Sequence, residues 1–468
     1  MAITASGLGS GLDINALVSS LVQAEGAPKS NQLDRQKSAA DTKLSAYGTL
    51  KSALSTFQTA AKALKDASAF QTKAATSSND TQLGVSASSS AAAGSYSIEV
   101  VQMAQAQKLN SVGFAGATEV VGTGTLNITA GSTNFSITVD SSNNTLAGIR
   151  DAINNATGNS GVSATIVNVD DGLGGTESRL VLSSTQPGSS NAITVTATDD
   201  DGNSTDTSGL SRLVYDPNGS GVTNLTQQTA AQDALIRVDG MNVTRSSNVI
   251  SDAIDGVTLT LKPDGVGKTN EITVSTDQEA VKKALTTFVD AYNKLDTTLK
   301  SLGKYDASTK SGGPLVGDSI LRNVQNQIRA DLRTTVGSNT DFDTLYEVGI
   351  EIDRNGVMSV NSTRLDAALE DNYSAVSSFF SGTDGMGTRL SNRIDEYLQT
   401  GGVLSKQTDR LNDTLRSIED QRVALDDRLA SLEKRLLKQF TAMDVAVAQF
   451  NNTGAYLTQQ LAKLPGFG

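Results

Sequence analysis

The chain has 468 residues, 38 of them basic and 50 acidic, for a net charge of −12, and it contains no cysteine, histidine or tryptophan. That excludes disulfides, cysteine nucleophiles, zinc sites built on Cys or His and any triad that needs histidine, while the acidic balance argues against nucleic acid or an anionic membrane as partner. Hydrophobic residues make up 37% and charged residues only 19%, a polar, weakly charged surface that suits molecules stacking on copies of themselves, so no enzymatic activity, cofactor or metal is expected.

No apolar run approaches the roughly 20 residues needed to span a bilayer, so membrane insertion is not expected. A cleavable secretory signal is not expected either. The first basic residue is Lys29, and the apolar residues before it are broken by Gly, Ser and Asp.

Residues 1–70 read as mostly helical. After Gly7, Gly9 and Gly11, an apolar pattern begins at Leu12, Leu17 and Leu21, and a stronger one follows at Tyr47, Leu50, Leu54, Phe57, Ala61 and Leu64. Steps of three and four put such residues on one helix face. A Ser/Ala-rich stretch from Ala74 to Gly94 marks a boundary.

Residues 71–275 change to alternating β-type runs: Tyr96/Ile98/Val100, Phe135/Ile137/Val139, Ile193/Val195 and Val257/Leu259/Leu261. Asp239-Gly240, between Val238 and Met241, is a hairpin signal. Two short helices are predicted inside this region, Leu146–Asn154 and Val249–Ile254. Ile137-Thr-Val-Asp140 leads to Ile149–Ile153 much as Ile236-Arg-Val-Asp239 leads to Ile250–Ile254, which suggests a faint internal repeat of strand, loop and helix, with coincidence an equal alternative.

The helical pattern returns near 276. Val281, Leu285, Phe288, Tyr292, Leu295, Leu299 and Leu302 alternate in steps of four and three. A second helix is predicted over Asp318–Arg333, and a β excursion around Asn355-Gly356. In the last helix the alternation runs through Leu411, Leu415, Ile418, Arg422, Leu425, Leu429, Leu432, Leu436, Gln439, Met443, Ala446, Phe450, Thr453 and Leu457. Eleven of these fourteen positions are apolar, which makes a heptad seam. Asn451-Asn-Thr-Gly454 is expected to weaken the helix.

Heptad seams need partners. The expected architecture is therefore α+β and multidomain: a coiled-coil stalk built from both chain ends, with an inserted, mostly antiparallel β head of one or two domains. The stalk residues are expected to include Leu54, Phe57, Leu285, Phe288, Leu295, Leu411, Leu415, Leu425, Leu429, Leu432 and Leu436, with Arg422 and Gln439 setting register or meeting a partner. The expected divisions are a terminal leg at 1–40, stalk helices at 41–74, the head at 75–275 with an outer subdomain near 125–245, the stalk again at 276–439 with its β excursion near 346–361, and a second leg at 440–468. The legs are expected to order only when a partner covers them.

Sharper chemical readings have blander competitors. The early glycines lack the preceding strand and following Lys of a phosphate cradle and read as a flexible lead into a helix. Asp199, Asp200, Asp201, Asn203 and Asp206 lack the sixth-position glycine and closing Glu of an EF-hand and read as a solvated loop. Asp170/Asp171 and Asp426/Asp427 fall in a Gly-rich turn and on a charged helix face, not across a catalytic cleft.

Several stretches resemble the flagellar filament cap family, also called hook-associated protein 2. They are GLGSGLDINALVSSLV at 7–22, LSAYGTLKSALSTFQ at 44–58, VDAYNKL at 289–295, LVGDSILRNVQNQI at 315–328, VGIEIDRNGVMSVNSTRLDAAL at 348–369 and NNTGAYLTQQL at 451–461. ITVDSSNNTLAGIRDAINNA at 137–156 is similar to a motif shared by hook-associated proteins and some flagellins. The stretches near 110–130 and 199–225 carry no such likeness.

The resemblance implies a ring of subunits, a pentamer or another small number, at the distal tip of the flagellar filament, where arriving flagellin folds and is inserted. It also implies export by the flagellar type III apparatus without a cleaved signal, an export chaperone on the C-terminal helix, and contacts with hook–filament junction proteins. Leu12, Leu17, Leu21, Phe450 and Leu457 would then form the terminal legs. Two other readings stay open: a junction protein or flagellin-like axial subunit, and a tip adhesin that binds mucin or host glycans through the β head.

Overall fold

The computed structural model describes residues 11–308, 310–337 and 341–462; Gly7 and Gly9 lie outside them. The chain divides into two compact units, one formed by the residues up to Phe70 together with those from Gln278 onward, the other by Gln71–Asp277.

The first unit is helical. Its helices are α1 (Ile14–Lys65), and then, after the β unit with its single α-helix α2 (Leu146–Asn154), α3 (Gln278–Gly303), α4 (Ser319–Arg333), α5 (Ser362–Asp371), α6 (Tyr373–Ser381), α7 (Met386–Leu398) and α8 (Val403–Leu461). Side chains cap several of them: Asp13 accepts from Ala16 N at α1, and Asp318 accepts from Ile320 N and Leu321 N at α4. The core of this unit joins the C-terminal half of α1 to α3, α4, α5, α6 and α7 and to the first turns of α8. Phe57 sits at its centre, 5.3 Å from Phe288 and 5.8 Å from Tyr292 between ring centroids.

A two-stranded excursion, Ile350–Ile352 with Met358–Val360, turns at Gly356 with φ +83° and docks on α3. Asn293 fixes it in place, donating to Met358 O at 2.7 Å and accepting from Met358 N at 2.8 Å. Beside it lies a buried carboxylate. Asp296 pairs with Lys300 and, at 3.1 Å, with Arg329, while Lys300 Nζ donates to Asn355 O at 2.6 Å.

The β unit contains two hydrophobic cores. One lies within a five-stranded sheet ordered 73–77, 268–276, 94–102, 234–238, 241–245 and a three-stranded sheet ordered 249–254, 257–261, 83–87. The other, from Leu109 to Leu225, is built from α2, a five-stranded sheet centred on 193–199 and 124–130, and a four-stranded sheet ordered 226–229, 108–110, 176–184, 162–170. Every strand pairing in these sheets is antiparallel. The turn at Asp239-Gly240 joins a hairpin in which Val238 faces Met241, with both turn residues at positive φ. That hairpin belongs to the first core, so the second core ends before 245.

Two local expectations fail. Val249–Ile254 is a strand, not a helix: it pairs with Val257–Leu261 across a turn at Gly256, and an irregularity between Ile250 and Ile254 gives the pair its helix-like spacing. The internal repeat fails with it, because one copy is strand and helix and the other hairpin and strand. Ala74–Gly94, expected as a boundary, contains parts of two paired strands, 73–77 and 83–87, and the division between the units falls just before it, at Phe70/Gln71.

Asn451-Asn-Thr-Gly454 does not interrupt α8, which continues to Leu461. Good helix formers flank it on both sides, and the cooperativity of a long helix outweighs a cost of about 1 kcal/mol at one glycine.

Candidate assembly surface

The N-terminal half of α1 and the middle of α8 form an antiparallel pair. Residue numbers rise along one helix as they fall along the other: Glu25 pairs with Arg428 at 2.9 Å, and Asp34 with Arg422. Next to the Glu25–Arg428 pair Gly26 is buried against Leu429, whose Cδ1 would lie 2.6 Å from a Cβ at position 26. Only a glycine lets the two backbones come this close without displacing that leucine. Pro28 lies two residues on, inside α1, where it removes one helical hydrogen bond.

Of the expected stalk residues, Leu54, Phe57, Leu285, Phe288, Leu295 and Leu411 lie in the core of the helical unit and Leu415 packs against it. Leu425, Leu429, Leu432 and Leu436 are half-buried. α1 is the common partner of the other two seams, packing on α3 through its C-terminal half and on α8 along its N-terminal half. Arg422 is held by Asp34, and its Nε is buried with no hydrogen-bond partner among the described residues. Gln439 is exposed.

Beyond that point the seam opens. Met443, Phe450 and Leu457 are exposed by 42%, 75% and 53%. Leu12, Leu17 and Leu21 are exposed as well, although Ile14 and Val18 on the same helix are fully buried. Sequence spacing missed Val445, Tyr456 and Leu461, which add to the exposed apolar surface of α8. The signal was there in another form: from Gln439 to Ala462 the only charged residue is Asp444. A water-exposed helix with one charge in more than twenty residues has the composition of a buried one.

The acidic loop at 199–206 is built into its own fold. Asp199 is buried and its carboxylate accepts from Ser211 N at 3.0 Å and Ser211 Oγ at 3.3 Å, while Asp201, Asn203 and Asp206 each accept from a backbone N–H two residues on. These groups are spent on the fold of their own loop. Gly11, at φ +71°, forms the turn just before the α1 cap. Among the described residues no three His, Cys, Asp or Glu side chains are grouped so as to hold a metal ion, and no helix is long and apolar enough to cross a membrane.

Comparison with known proteins places these features in a family. Residues 10–107 match the model of the flagellar hook-associated protein 2 N-terminus, 231–452 that of its C-terminus, and 125–186 that of the flagellin hook IN motif. The B-type flagellar hook-associated protein 2 of Pseudomonas aeruginosa is 37% identical over 99% of this chain and 98% of its own. The flagellar hook-associated protein 2 of Escherichia coli K12 is 36% identical over 98% of both. The crystal structure of the D1-D2-D3 domains of the flagellar cap protein FliD from Escherichia coli superposes with a TM-score of 0.64 at 35% identity, covering 78% of this chain and 99% of that one. With both terminal models matched and near-complete relatives above 30% identity, the chain belongs to the flagellar hook-associated protein 2 family.

Proposed function

We propose that this chain is the structural cap of the bacterial flagellar filament: it sits at the distal tip, promotes the folding and insertion of exported flagellin, and prevents flagellin loss to the medium. It acts by shape and adhesion between subunits, not by catalysis. The observation that carries this reading is full-length kinship with a family that includes the flagellar cap protein of Escherichia coli.

The terminal helices supply the physics. Their exposed, uncharged, apolar faces cost free energy in water and gain it when other subunits cover them, at about 25 cal/mol per Å² removed from solvent. Leu12, Leu17, Leu21, Phe450 and Leu457 are the residues assigned to that contact, with flagellin or junction proteins opposite. Copies close into a small ring, a pentamer or a neighbouring number. Export follows the flagellar type III route without a cleaved signal, and an export chaperone shields the exposed part of α8 beforehand.

Deleting the gene tests the function. Unpolymerised flagellin in the medium with short or absent filaments is the expected result; filaments of normal length would refute the reading.

A further inference from the structure

Leu173 is 94% exposed, more than any other large hydrophobic residue described. It stands at the tip of the hairpin formed by 162–170 and 176–184, whose register runs without a break to Asp170 opposite Thr176. The tip is held in shape. Asp171 Oδ1 accepts from Leu173 N at 2.7 Å and Gly175 N at 2.8 Å, and Gly172 and Gly174 take the positive φ values, +75° and +93°, that the turn needs. A leucine fixed in water beside the carboxylates of Asp170 and Asp171 is an acidic, apolar knob.

The helical unit carries a socket of matching chemistry. A pocket of about 650 Å³ opens between the end of α3 and the start of α4. Leu299, Leu315 and Leu321, all buried, form its apolar floor. Its polar groups divide sharply. Asp318 is spent on Tyr47 Oη, at 2.6 Å, and on the α4 cap, and Lys300 is spent on Asp296 and Asn355. Lys304 and Arg322 are left at the rim, exposed and without an ion pair among the described residues. The volume suits a turn of several residues rather than one side chain. The smaller groove between α1 and α3 fits less well, because it sets one cation, Lys294, beside Asp290, whose carboxylate has no hydrogen bond among the described residues to occupy it as Tyr47 occupies Asp318.

We propose that the 170–175 tip of one copy seats in this pocket on a second copy, Leu173 on the leucine floor and Asp170 against Lys304 and Arg322. The occupant is assigned by charge: an apolar floor with an unpaired cationic rim selects an apolar knob flanked by carboxylates, and this chain presents one. Knob and socket are built from different residues, so the contact is heterologous, the type that closes rings when the rotation per subunit allows. The inference rests on the reading that copies of the chain associate.

The test places a photoreactive benzophenone amino acid at position 173 of the full-length chain and maps the crosslinked dimers by mass spectrometry, alongside sedimentation of the unmodified chain. Crosslinks to the 299–325 stretch are expected. The K304E/R322E pair should reduce them about tenfold or more, by setting like charges together, and D170K should restore them on that background. Crosslinks mapping elsewhere, or unaffected by K304E/R322E in chains that still associate, would overturn this contact and leave the ring standing. A chain that sediments as a monomer at every concentration would overturn both.

Discussion

Phe57 makes the clearest single-residue case in the helical unit. It is fully buried between Phe288 and Tyr292, and Phe57→Ala is expected to cost about 3–5 kcal/mol in urea unfolding, through lost transfer free energy and an unfilled cavity. Gly387 is a subtler one. A Cβ there would lie 2.9 Å from Ala61 O and from Lys65 N, so Gly387→Ala must push α7 off α1 and should cost about 1–3 kcal/mol by the same assay. Acid stability follows from the turn carboxylates. Backbone N–H groups hold Asp171 and Asp353 below the ordinary value of 3.8. A depressed folded-state pKa means that this stabilisation is fully present above 3.8 and is lost as pH falls through the lowered value. With no histidine in the chain, Tm should be nearly flat between about pH 5 and pH 8 and fall only in stronger acid; a marked transition near neutrality would contradict this. Phe57 was legible in the sequence because its neighbours along the helix repeat at steps of three and four. Gly387 was not, nor was the Asp296–Arg329–Lys300 cluster, because each depends on helices brought together from distant parts of the chain.

Among the elements, the α1/α8 pair has the most specific weaknesses. Arg422 occupies a seam position, half-buried, with an Nε that has no partner among the described residues, and its pair with Asp34 is open enough to water to be worth little net. Arg422→Leu is therefore expected to leave the unfolding free energy unchanged or raise it by about 1 kcal/mol, at the expense of the register that the Asp34 pair enforces. A loss of several kcal/mol would show that the ion pair itself holds the helices together. The heptad seams and the main β runs could be read from period alone, since burial on one face is what imposes it. The 249–254 strand was misread because an irregularity in the ladder breaks the alternation of two. The last helix was legible as far as Leu457, and the weak stretch at 451–454 does not break it because helix continuation is cooperative.

At the scale of the whole molecule, a well-packed helical core coexists with helix ends that expose apolar surface. Leu411 and Ile418 are buried while Phe450, Leu457 and Leu461, further along the same helix, are exposed. The core cluster contains no residue beyond Leu415 of α8, so removing 440–468 should leave the cooperative unfolding of the body intact while abolishing its assembly. Sequence spacing located the two classes of leucine but could not tell which were covered within the chain, since a heptad is silent about whether its partner is internal. The decisive measurement is complementation of a strain deleted for the gene, with flagellin in the culture medium as the readout. The full chain should restore filaments and empty the medium of unpolymerised flagellin, whereas a chain ending at Gln439, secreted and folded, should leave flagellin in the medium. Normal filaments from that truncated chain would contradict the claim that the exposed ends do the capping.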